Sequence, residues 1–287
     1  MALSARTPTG ADTAGGVPEI WAQQTVDEAE KELVAWDATD HSWQKDLKLG
    51  DTVNIGVINN ITATEVTVGT KAASLDIATG SMLQLIMNQW FEAPQDIDYM
   101  TLRQSQIDWG AKARTKAQYA IRVKVDTTVC TLYQSLYDSI GIQGTDGAAV
   151  TDELLLDIME LLDEADVPRD GNRFLMVDPS AVRDMLEYDK FVSALYVQMG
   201  AVENGTIAKN HPIYSCHVRV TNNLVAGTTG AHAAMLHRSA IASALQIELP
   251  WMKEFEELHQ RRYQFEALWG VKEVRDTFGV CFYTRKA

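Results

Sequence analysis

Residues 49–75, LGDTVNIGVINNITATEVTVGTKAASL, have the pattern of a β-hairpin. Its apolar residues are spaced as in two strands, with Val53, Ile55, Val57 and Ile61 in the first and Val66 and Val68 beginning the second. The residues before this stretch, and those well after it, have helical patterns instead. Because an isolated two-stranded hairpin is marginally stable in water, we expect this one to be covered by another chain rather than by its own.

The composition is that of an ordinary globular protein with an ample core: 287 residues, 46% hydrophobic and 22% charged. No run of about 18 apolar residues occurs, so no membrane-spanning helix is predicted. The formal net charge of −14 disfavours a dedicated nucleic-acid-binding protein. Three widely spaced cysteines, Cys130, Cys216 and Cys281, favour free thiols in a reducing cytoplasm and argue against a zinc site.

The N-terminal region has two parts. Residues 1–17 are rich in Gly, Ala, Thr and Pro and lack the apolar region of a secretory signal, so we expect a mobile tip there. Over residues 18–36 a narrow apolar seam predicts a helix, and Pro18 suits its first turn. The seam consists of Ala22, Val26, Ala29, Leu33 and Trp36. Either this is a surface helix on its own domain or it is an arm that lies on a neighbour, and the long tip favours the arm.

A strand is predicted from about Leu83 to a point near Pro94, followed by a long helix from Asp98 to about Ser139 that is interrupted only at Gly110. The middle of this helix, KARTKAQYAIRVK, is basic although the protein is acidic. Its basic residues are Lys112, Arg114, Lys116, Arg122 and Lys124. Either they form a solvated face paired with carboxylates, or they face phosphates or an acidic partner.

Residues 145–250 have the pattern of an α/β block. Thr151 is placed to cap the acidic amphipathic helix DELLLDIMELLDEA. The stretch NRFLMVDP predicts a buried strand that stops at Pro179, and the next helix has Ser180 near its start. The stretch HAAMLHRSAIASALQIEL predicts a strand that leads into a short helix.

The tail predicts two antiparallel strands around Gly270. Four residues of the first strand, Tyr263, Phe265, Ala267 and Trp269, alternate with more polar ones as on a buried face.

The sequence lacks the motifs of common enzyme classes. GxGxxG, GxxxxGK[ST], HExxH and GxSxG do not occur. The histidines do not form a recognisable metal site. His211 and His217 have no apparent third ligand in the sequence, and a strand would place His232 and His237 on opposite faces. We therefore predict no catalytic residues, no cofactor and no metal, and we do not expect an enzyme. The unusual parts of the sequence are the predicted extended elements, namely the mobile tip, the arm helix, the hairpin and the long helix. A protein that assembles with copies of itself requires such elements for contacts with its neighbours.

The order of these parts resembles the major capsid proteins of tailed double-stranded DNA bacteriophages, which have the Hong Kong 97-like fold. Four stretches carry the likeness, namely VPEIWAQQTVDEAEKELV, GDTVNIGVINNITATEV, DVPRDGNRFLMVDPSAVRDML, and HRSAIASALQIE with ALWGVKEVRDTFGVCFYT. They extend over nearly the whole chain from about residue 17. One departure is GTIAKNHPIYSCHV, which has His-Pro where relatives often show a Gly-Phe turn.

The resemblance implies an α+β protein in six segments. These are a mobile tip (1–17), an N-terminal arm (18–45), an extended β-hairpin loop or E-loop (46–92), a peripheral domain with a long spine helix (93–144), a central axial α/β domain (145–250) and strands that return to the peripheral domain (251–287). The extended loop is expected to lie over the peripheral domain of an adjacent subunit. Burial in trans would then stabilise the hairpin.

The resemblance also implies a structural subunit that self-assembles as pentamers and hexamers into an icosahedral head around double-stranded DNA. Assembly is expected in the cytoplasm of the bacterial host, with scaffolding, portal and decoration proteins as partners, weak non-specific contact with DNA and no membrane. The basic stretch of the spine helix is expected to hold the acidic arm, which includes Glu30. Inter-subunit contacts are expected at Trp21, Val26, Leu33, Trp36, Val53, Ile55, Val57, Ile61, Val66, Val68 and Lys71.

Other interpretations stay open. An encapsulin-type bacterial nanocompartment has the same fold and encloses enzymes instead of a genome. An α/β hydrolase or transferase could use Asp178 and a histidine at an unrecognised site. Tail and decoration proteins are disfavoured because they are usually all-β. Some capsid relatives form a lysine–asparagine cross-link from this loop. Lys71 is suitably placed for it, but the Glu and Asn that the reaction needs cannot be identified from spacing.

Overall fold

The computed structural model describes residues 30, 33–46, 51–58, 80–105, 108–188, 202–203, 206–207 and 213–285. The helices in this part of the chain are α1 (Tyr99–Gln104), α2 (Trp109–Thr131), α3 (Asp152–Glu164) and α4 (Pro179–Leu186). The strands are β1 (Thr52–Ile58), β2 (Gly80–Ile86), β3 (Gln89–Asp98), β4 (Arg173–Val177), β5 (Val202–Glu203), β6 (Thr206–Ile207), β7 (His217–Val220), β8 (Gly230–His237), β9 (Ile241–Phe255), β10 (Gln260–Glu273) and β11 (Gly279–Arg285).

Two sheets organise these elements. One has three antiparallel strands in the order β3–β10–β9, and the other has four strands in the order β11–β8–β4–β7. In the four-stranded sheet β4 and β7 are parallel, and the remaining pairs are antiparallel. Two further pairs, β1 with β2 and β5 with β6, are antiparallel hairpins. No helix among the described residues is long and apolar enough to cross a membrane.

Helix α2 packs along one face of the three-stranded sheet. The predicted alternation in β10 is confirmed, since Tyr263, Phe265, Ala267 and Trp269 are all buried. Ala117 and other small or branched residues of α2 share a core with three of them. Small side chains allow the helix backbone to approach the sheet closely, so a helix of modest amphipathicity still has a well-packed face.

The predicted helix from Asp98 to Ser139 is divided in the structure. It consists of α1, then α2, then a 3-10 turn at Leu132–Ser135. The second helix begins after Asp108, whose carboxylate accepts a 3.0 Å hydrogen bond from the Ala111 N–H. Gly110, the predicted interruption, lies inside the first turn of α2 instead. A Cβ there would be 2.6 Å from the Tyr263 hydroxyl, so close packing requires the glycine.

Two predictions for the three-stranded sheet were wrong. The single strand expected from about Leu83 to near Pro94 is divided into β2, which pairs with β1, and β3, which continues past Pro94 to Asp98. A proline is tolerated there because β3 is an edge strand. The short helix expected after the strand in HAAMLHRSAIASALQIEL is only a 3-10 turn at Arg238–Ala240, and the residues from Ile241 onward belong to β9. Ala242 and Ala244 of this strand are buried, so tertiary packing overrides the helical preference of alanine and leucine.

The tail also differs from its prediction. Strand β10 continues through Gly270, and β11 pairs with β8 in the other sheet instead of with β10. Gly270 is required because the Ile86 carbonyl oxygen crosses there, 2.3 Å from the position that a Cβ would occupy. The glycine thus marks a close approach of two backbones and not a turn.

The four-stranded sheet and helices α3 and α4 enclose the largest core. Thr151 caps α3 as predicted, accepting a 3.2 Å hydrogen bond from the Leu154 N–H. Asp178 caps α4 through a 3.3 Å bond from the Ala181 N–H. The Ser180 hydroxyl is within hydrogen-bond distance of both the Asp178 carboxylate and the Arg285 carbonyl, and its one hydrogen is shared between these two acceptors. Strand β4 is buried along its whole length, as its apolar sequence predicted.

Candidate assembly surfaces

The base of the hairpin packs on the chain's own core. Strand β1 pairs with β2, with Ile55 opposite Leu83, and the second strand expected from Val66 lies outside the described residues. Ile55 is buried in a cluster with Leu85, Met87 and Ala244. The prediction that the hairpin has no core in its own chain is therefore wrong at its base, and Ile55 is an intramolecular contact. The face of the hairpin that carries Ile55 packs against β9.

The opposite face of the hairpin presents apolar side chains to solvent. Ile58, Met82 and Ile86 are 78%, 69% and 46% exposed. Val57 lies near the end of β1 and is also exposed. Val53 is half-buried against the cluster around Ile55. Several exposed apolar residues on one face of a hairpin are typical of an interaction surface.

The described part of the arm is held beside the spine helix by a buried carboxylate. Asp126 of α2 accepts hydrogen bonds from the N–H groups of Ala35 and Trp36, at 2.7 and 3.2 Å. Its other oxygen accepts a 3.2 Å bond from the Asn223 amide. Burial raises the pKa of the Asp126 carboxyl, although these hydrogen bonds favour the charged form. Sequence reasoning missed this residue, whose one signal was an acidic side chain on an otherwise apolar helix face.

The next residues of the arm dock against β9. The Asp40 N–H donates to the Ile241 carbonyl at 2.9 Å, and the Ser243 N–H donates to the Asp40 carbonyl at 3.0 Å. The Thr39 and Ser243 hydroxyls are 2.5 Å apart, and Ser243 Oγ is 2.8 Å from His41 Nδ1. Burial lowers the pKa of His41. The arm is thus anchored in its own chain before it can reach a neighbour.

Two of the predicted arm contacts, Leu33 and Trp36, are described, and both are half-buried. They line a cavity of about 370 Å³ together with Ile121, Val125 and Leu245. Residue 36 belongs to a 3-10 turn, Trp36–Ala38, and not to the end of a long helix. Six other predicted contacts lie outside the described residues, namely Trp21, Val26, Ile61, Val66, Val68 and Lys71.

The five basic residues of the spine helix do not share one face. Lys116 forms a 2.7 Å ion pair with Glu30 of the arm. Arg114 lies over the Tyr263 ring and Lys124 over the Phe91 ring, at 5.9 and 5.6 Å from the centroids. Arg122 is exposed, and Lys112 is half-buried. The Lys116 pair joins two partly exposed side chains and contributes less than about 1 kcal/mol.

The described residues hold no group of three metal-ligating side chains with the geometry of a metal site. Burial raises the pKa of Cys216 and of Cys281 to about 12 in each case, so neither thiol is an activated nucleophile. Asp178 bonds Ala181 and Ser180 and has no histidine among its hydrogen-bond partners in the described chain. It serves as a helix cap, which removes the main support for the hydrolase interpretation.

No protein-family model matches the sequence, and no curated protein matches it. Solved structures do match over almost the whole chain. A structure from Mycobacterium phage Che8 is 19% identical, has a TM-score of 0.79, and covers 94% of this chain and 98% of its own. The capsid structure of Cyanophage P-SCSP1u is 12% identical, with a TM-score of 0.73 and coverage of 97% and 96%. The mature capsid of bacteriophage PhiM1 is 12% identical, with a TM-score of 0.70 and coverage of 94% and 93%. The Hong Kong 97-like α+β architecture predicted from the sequence is thereby confirmed, and the chain has the fold of phage capsid proteins.

Proposed function

We propose that this chain is a major capsid protein, a structural subunit that self-assembles into the icosahedral head of a tailed phage and encloses its double-stranded DNA. The observation that carries the proposal is the full-length match to capsid structures, which leaves neither chain with a large unmatched domain. Pentamers and hexamers of one subunit are the expected building blocks, because closed symmetry allows one set of contacts to be repeated throughout the shell.

The hairpin supports this function physically. Its base is fixed in its own chain, whereas Ile58, Met82 and Ile86 face solvent. Burying an apolar side chain of this size contributes about 1.5–3 kcal/mol. One hairpin would therefore form a modest contact with an adjacent subunit. Many such contacts, summed over a closed shell, would hold it together.

The edges of the three-stranded sheet favour contacts through faces rather than through added strands. Pro94 lies on one edge strand opposite Gln264, and Pro250 lies on the other opposite Phe265. A proline cannot donate a backbone hydrogen bond to an incoming strand, so both edges resist extension. This arrangement suits a subunit that forms closed assemblies with a fixed number of neighbours, because it disfavours open-ended addition of strands.

The acidic composition fits a container for DNA. Each Lys or Arg contact with a phosphate adds salt-dependent affinity, and a wall with a net charge of −14 limits such contacts. Weak contact with packaged DNA is proposed on this ground. Partnership with scaffolding, portal and decoration proteins is proposed because the capsid fold implies it. The contacts expected at Leu33, Trp36 and Val57, and at the predicted arm and loop residues outside the described chain, belong to this proposal.

The test is to purify the chain and measure what it forms. Sedimentation and negative-stain microscopy should give closed particles far larger than a small oligomer, and phage-derived particles should contain nuclease-protected double-stranded DNA. Particles filled with enzyme instead of DNA would indicate the encapsulin-type shell. Small monodisperse oligomers under every assembly condition would overturn both.

A further inference from the structure

A cleft of about 620 Å³ lies where the arm meets the edge of the four-stranded sheet. Residues 37 and 39–41 of the arm line one side of it, and the edge strand β7 lines the other together with the beginning of β4. We call it the arm cleft. Its volume is within the range of sites that bind small molecules or parts of larger ones.

The sheet side of the arm cleft carries polar and aromatic side chains. His217 pairs in register with Phe174 of β4, and the two rings are 6.1 Å apart. Arg219 lies two residues after His217 and therefore on the same face of β7, whereas Val218 between them is buried in the core on the other face. The edge strand thus directs one arginine toward the cleft.

A second arginine, Arg238, is held at the cleft by neutral groups. Its guanidinium donates a 3.1 Å hydrogen bond to the Asp37 carbonyl and lies 5.5 Å from the centre of the Phe174 ring. Its backbone N–H donates to the Asn172 carbonyl at 3.0 Å. Arg238 therefore connects the arm to the sheet. Its positive charge is not balanced by these contacts, because none of them supplies a carboxylate.

The charge of Arg219 is not balanced either. Arg219 is half-buried, and among the described residues it has no hydrogen-bond or ion-pair partner. Two carboxylates, Asp37 and Asp40, lie on the arm side of the cleft, but neither is within ion-pair distance of Arg219 or Arg238 in the described chain. Asp40 instead accepts a 2.9 Å hydrogen bond from the Ser42 N–H. The cleft therefore has guanidinium donors available to an anion from outside the chain.

The environment of His41 shows that this positive charge is felt across the cleft. His41 lies on the arm side, with Nδ1 2.8 Å from Ser243 Oγ. Burial and then the nearby Arg238 lower the pKa of His41, whereas Asp37 and Asp40 each raise it by a smaller amount. The effect of Arg238 at this position therefore exceeds that of either carboxylate.

We propose that the arm cleft binds a phosphate group through Arg219 and Arg238. Guanidinium groups form paired, charge-assisted hydrogen bonds with phosphate oxygens and match their geometry better than an ammonium group does. Both inorganic phosphate and the DNA backbone offer this chemistry. DNA as the source rests on the proposed function, whereas the phosphate site does not. With DNA as the ligand, the cleft would confine weak contact with the genome to a defined place on an acidic subunit.

A phosphate titration of the unassembled chain, followed by NMR of the histidine rings, tests the site. Inorganic phosphate should shift the ring resonances of His41 and His217 in a saturable way. It should also raise the pKa of His41, because a bound anion opposes the effect of Arg238. His259, which is exposed between β9 and β10, is the control and should not shift. Absence of a saturable shift at His41 and His217, relative to chloride at equal ionic strength, overturns the proposal.

Two matched substitutions show whether the arginine of the edge strand is responsible. Arg219→Gln should weaken phosphate binding by about tenfold or more, as expected for a lost hydrogen bond to a charged group. Arg183→Gln removes the same charge from an exposed site on α4 that is paired with Glu187, and it should change binding by less than about twofold. Arg219→Lys, which keeps the charge, should recover part of the loss. Equal effects of the two Gln variants would overturn the site, since only net charge would then matter.

Short duplex DNA distinguishes the two sources of phosphate. Displacement of inorganic phosphate from the cleft by DNA, with weaker DNA binding by Arg219→Gln, would identify the DNA backbone as the ligand. Saturation by inorganic phosphate without displacement by DNA would support a site for free phosphate. A cleft that binds neither overturns the proposal and leaves the shell function standing. A chain that binds phosphate but never forms closed particles would contradict the shell function alone.

Discussion

The Asp126 carboxylate accepts a 2.7 Å hydrogen bond from the backbone N–H of Ala35, which lies 91 positions earlier in the chain. The same side chain is bonded to Asn223, beside the four-stranded sheet. One residue of the spine helix therefore fixes residues 35 and 36 of the arm on the subunit. It also connects this part of the arm to both sheets, because α2 packs on the three-stranded sheet and Asn223 follows β7 of the four-stranded sheet.

Replacing Asp126 with Ala should destabilise the subunit by about 1–3 kcal/mol, because it leaves buried backbone N–H groups without acceptors. Denaturant unfolding of the unassembled chain measures this change. Asp37→Ala, at an exposed carboxylate in the same arm segment, should change stability by less than about 0.5 kcal/mol. Equal stability of the two variants would mean that the Asp126 bonds are dispensable.

Ile55→Asp and Ile58→Asp should have opposite consequences although both lie on β1. Ile55 is buried in the chain's own core, so a charge there should lower the free energy of unfolding by at least about 3 kcal/mol. A large share of the molecules should then be unfolded. Ile58 is 78% exposed, so a carboxylate at this position should leave the subunit folded and remove an assembly contact.

Circular dichroism and particle yield distinguish these two outcomes. A folded subunit carrying Ile55→Asp would contradict the intramolecular packing of the hairpin base. Normal particle yield from Ile58→Asp would contradict the assembly role of its exposed face.

Gly270→Ala should destabilise the crossing of the hairpin over β10, because its Cβ would lie 2.3 Å from the Ile86 carbonyl oxygen. Relief requires a backbone shift, and overpacking of this kind costs about 1–3 kcal/mol. Gly56→Ala on β1 is the matched control, since nothing lies within 4 Å of its added Cβ. Thermal unfolding should give a lower melting temperature for Gly270→Ala than for Gly56→Ala. Similar melting temperatures would show that the backbone at the crossing can shift to accommodate a Cβ without loss of stability.

The contribution of Glu273, at the end of β10, to stability should fall as pH rises toward neutrality. Burial, and then the neighbouring carboxylates Asp276 and Asp138, raise the pKa of Glu273 from 4.5 to about 7. A carboxyl whose folded pKa is raised binds its proton more tightly in the folded state. Its favourable contribution is therefore present at about pH 4.5 and is lost as pH rises to about 7.

Glu273→Gln, which keeps the size of the side chain and cannot ionise, should flatten this part of the pH profile. Denaturant unfolding at about pH 4 and about pH 8, on either side of this interval, is the measurement. Exposed Glu257→Gln is the control. A profile that is unchanged by Glu273→Gln would assign the pH dependence to other groups.

The sequence correctly predicted the elements that are determined by residues close to one another along the chain. The Thr151 cap, the buried strand β4 and the alternation from Tyr263 to Trp269 depend on spacing and side-chain type within one segment. The capsid fold was predicted from the order of such segments, not from a single motif.

The errors arose where distant parts of the chain meet. Gly270 looks like a turn until the Ile86 carbonyl is placed over it, and SAIASALQIEL is helical by composition but is held as a strand by β10. The hairpin seemed to lack a core because its partners, Ala242 and Ala244, lie far away in sequence. Asp126 was missed for the same reason, since its value as an acceptor depends on Ala35.

An electron cryo-microscopy reconstruction of particles assembled from the purified chain tests the central claim most directly. The account predicts a closed icosahedral shell in which Ile58, Met82 and Ile86 of each subunit are buried against an adjacent one, while Ile55 stays in its own core. A shell that leaves those three side chains in solvent, or a failure to form any closed particle, would contradict it.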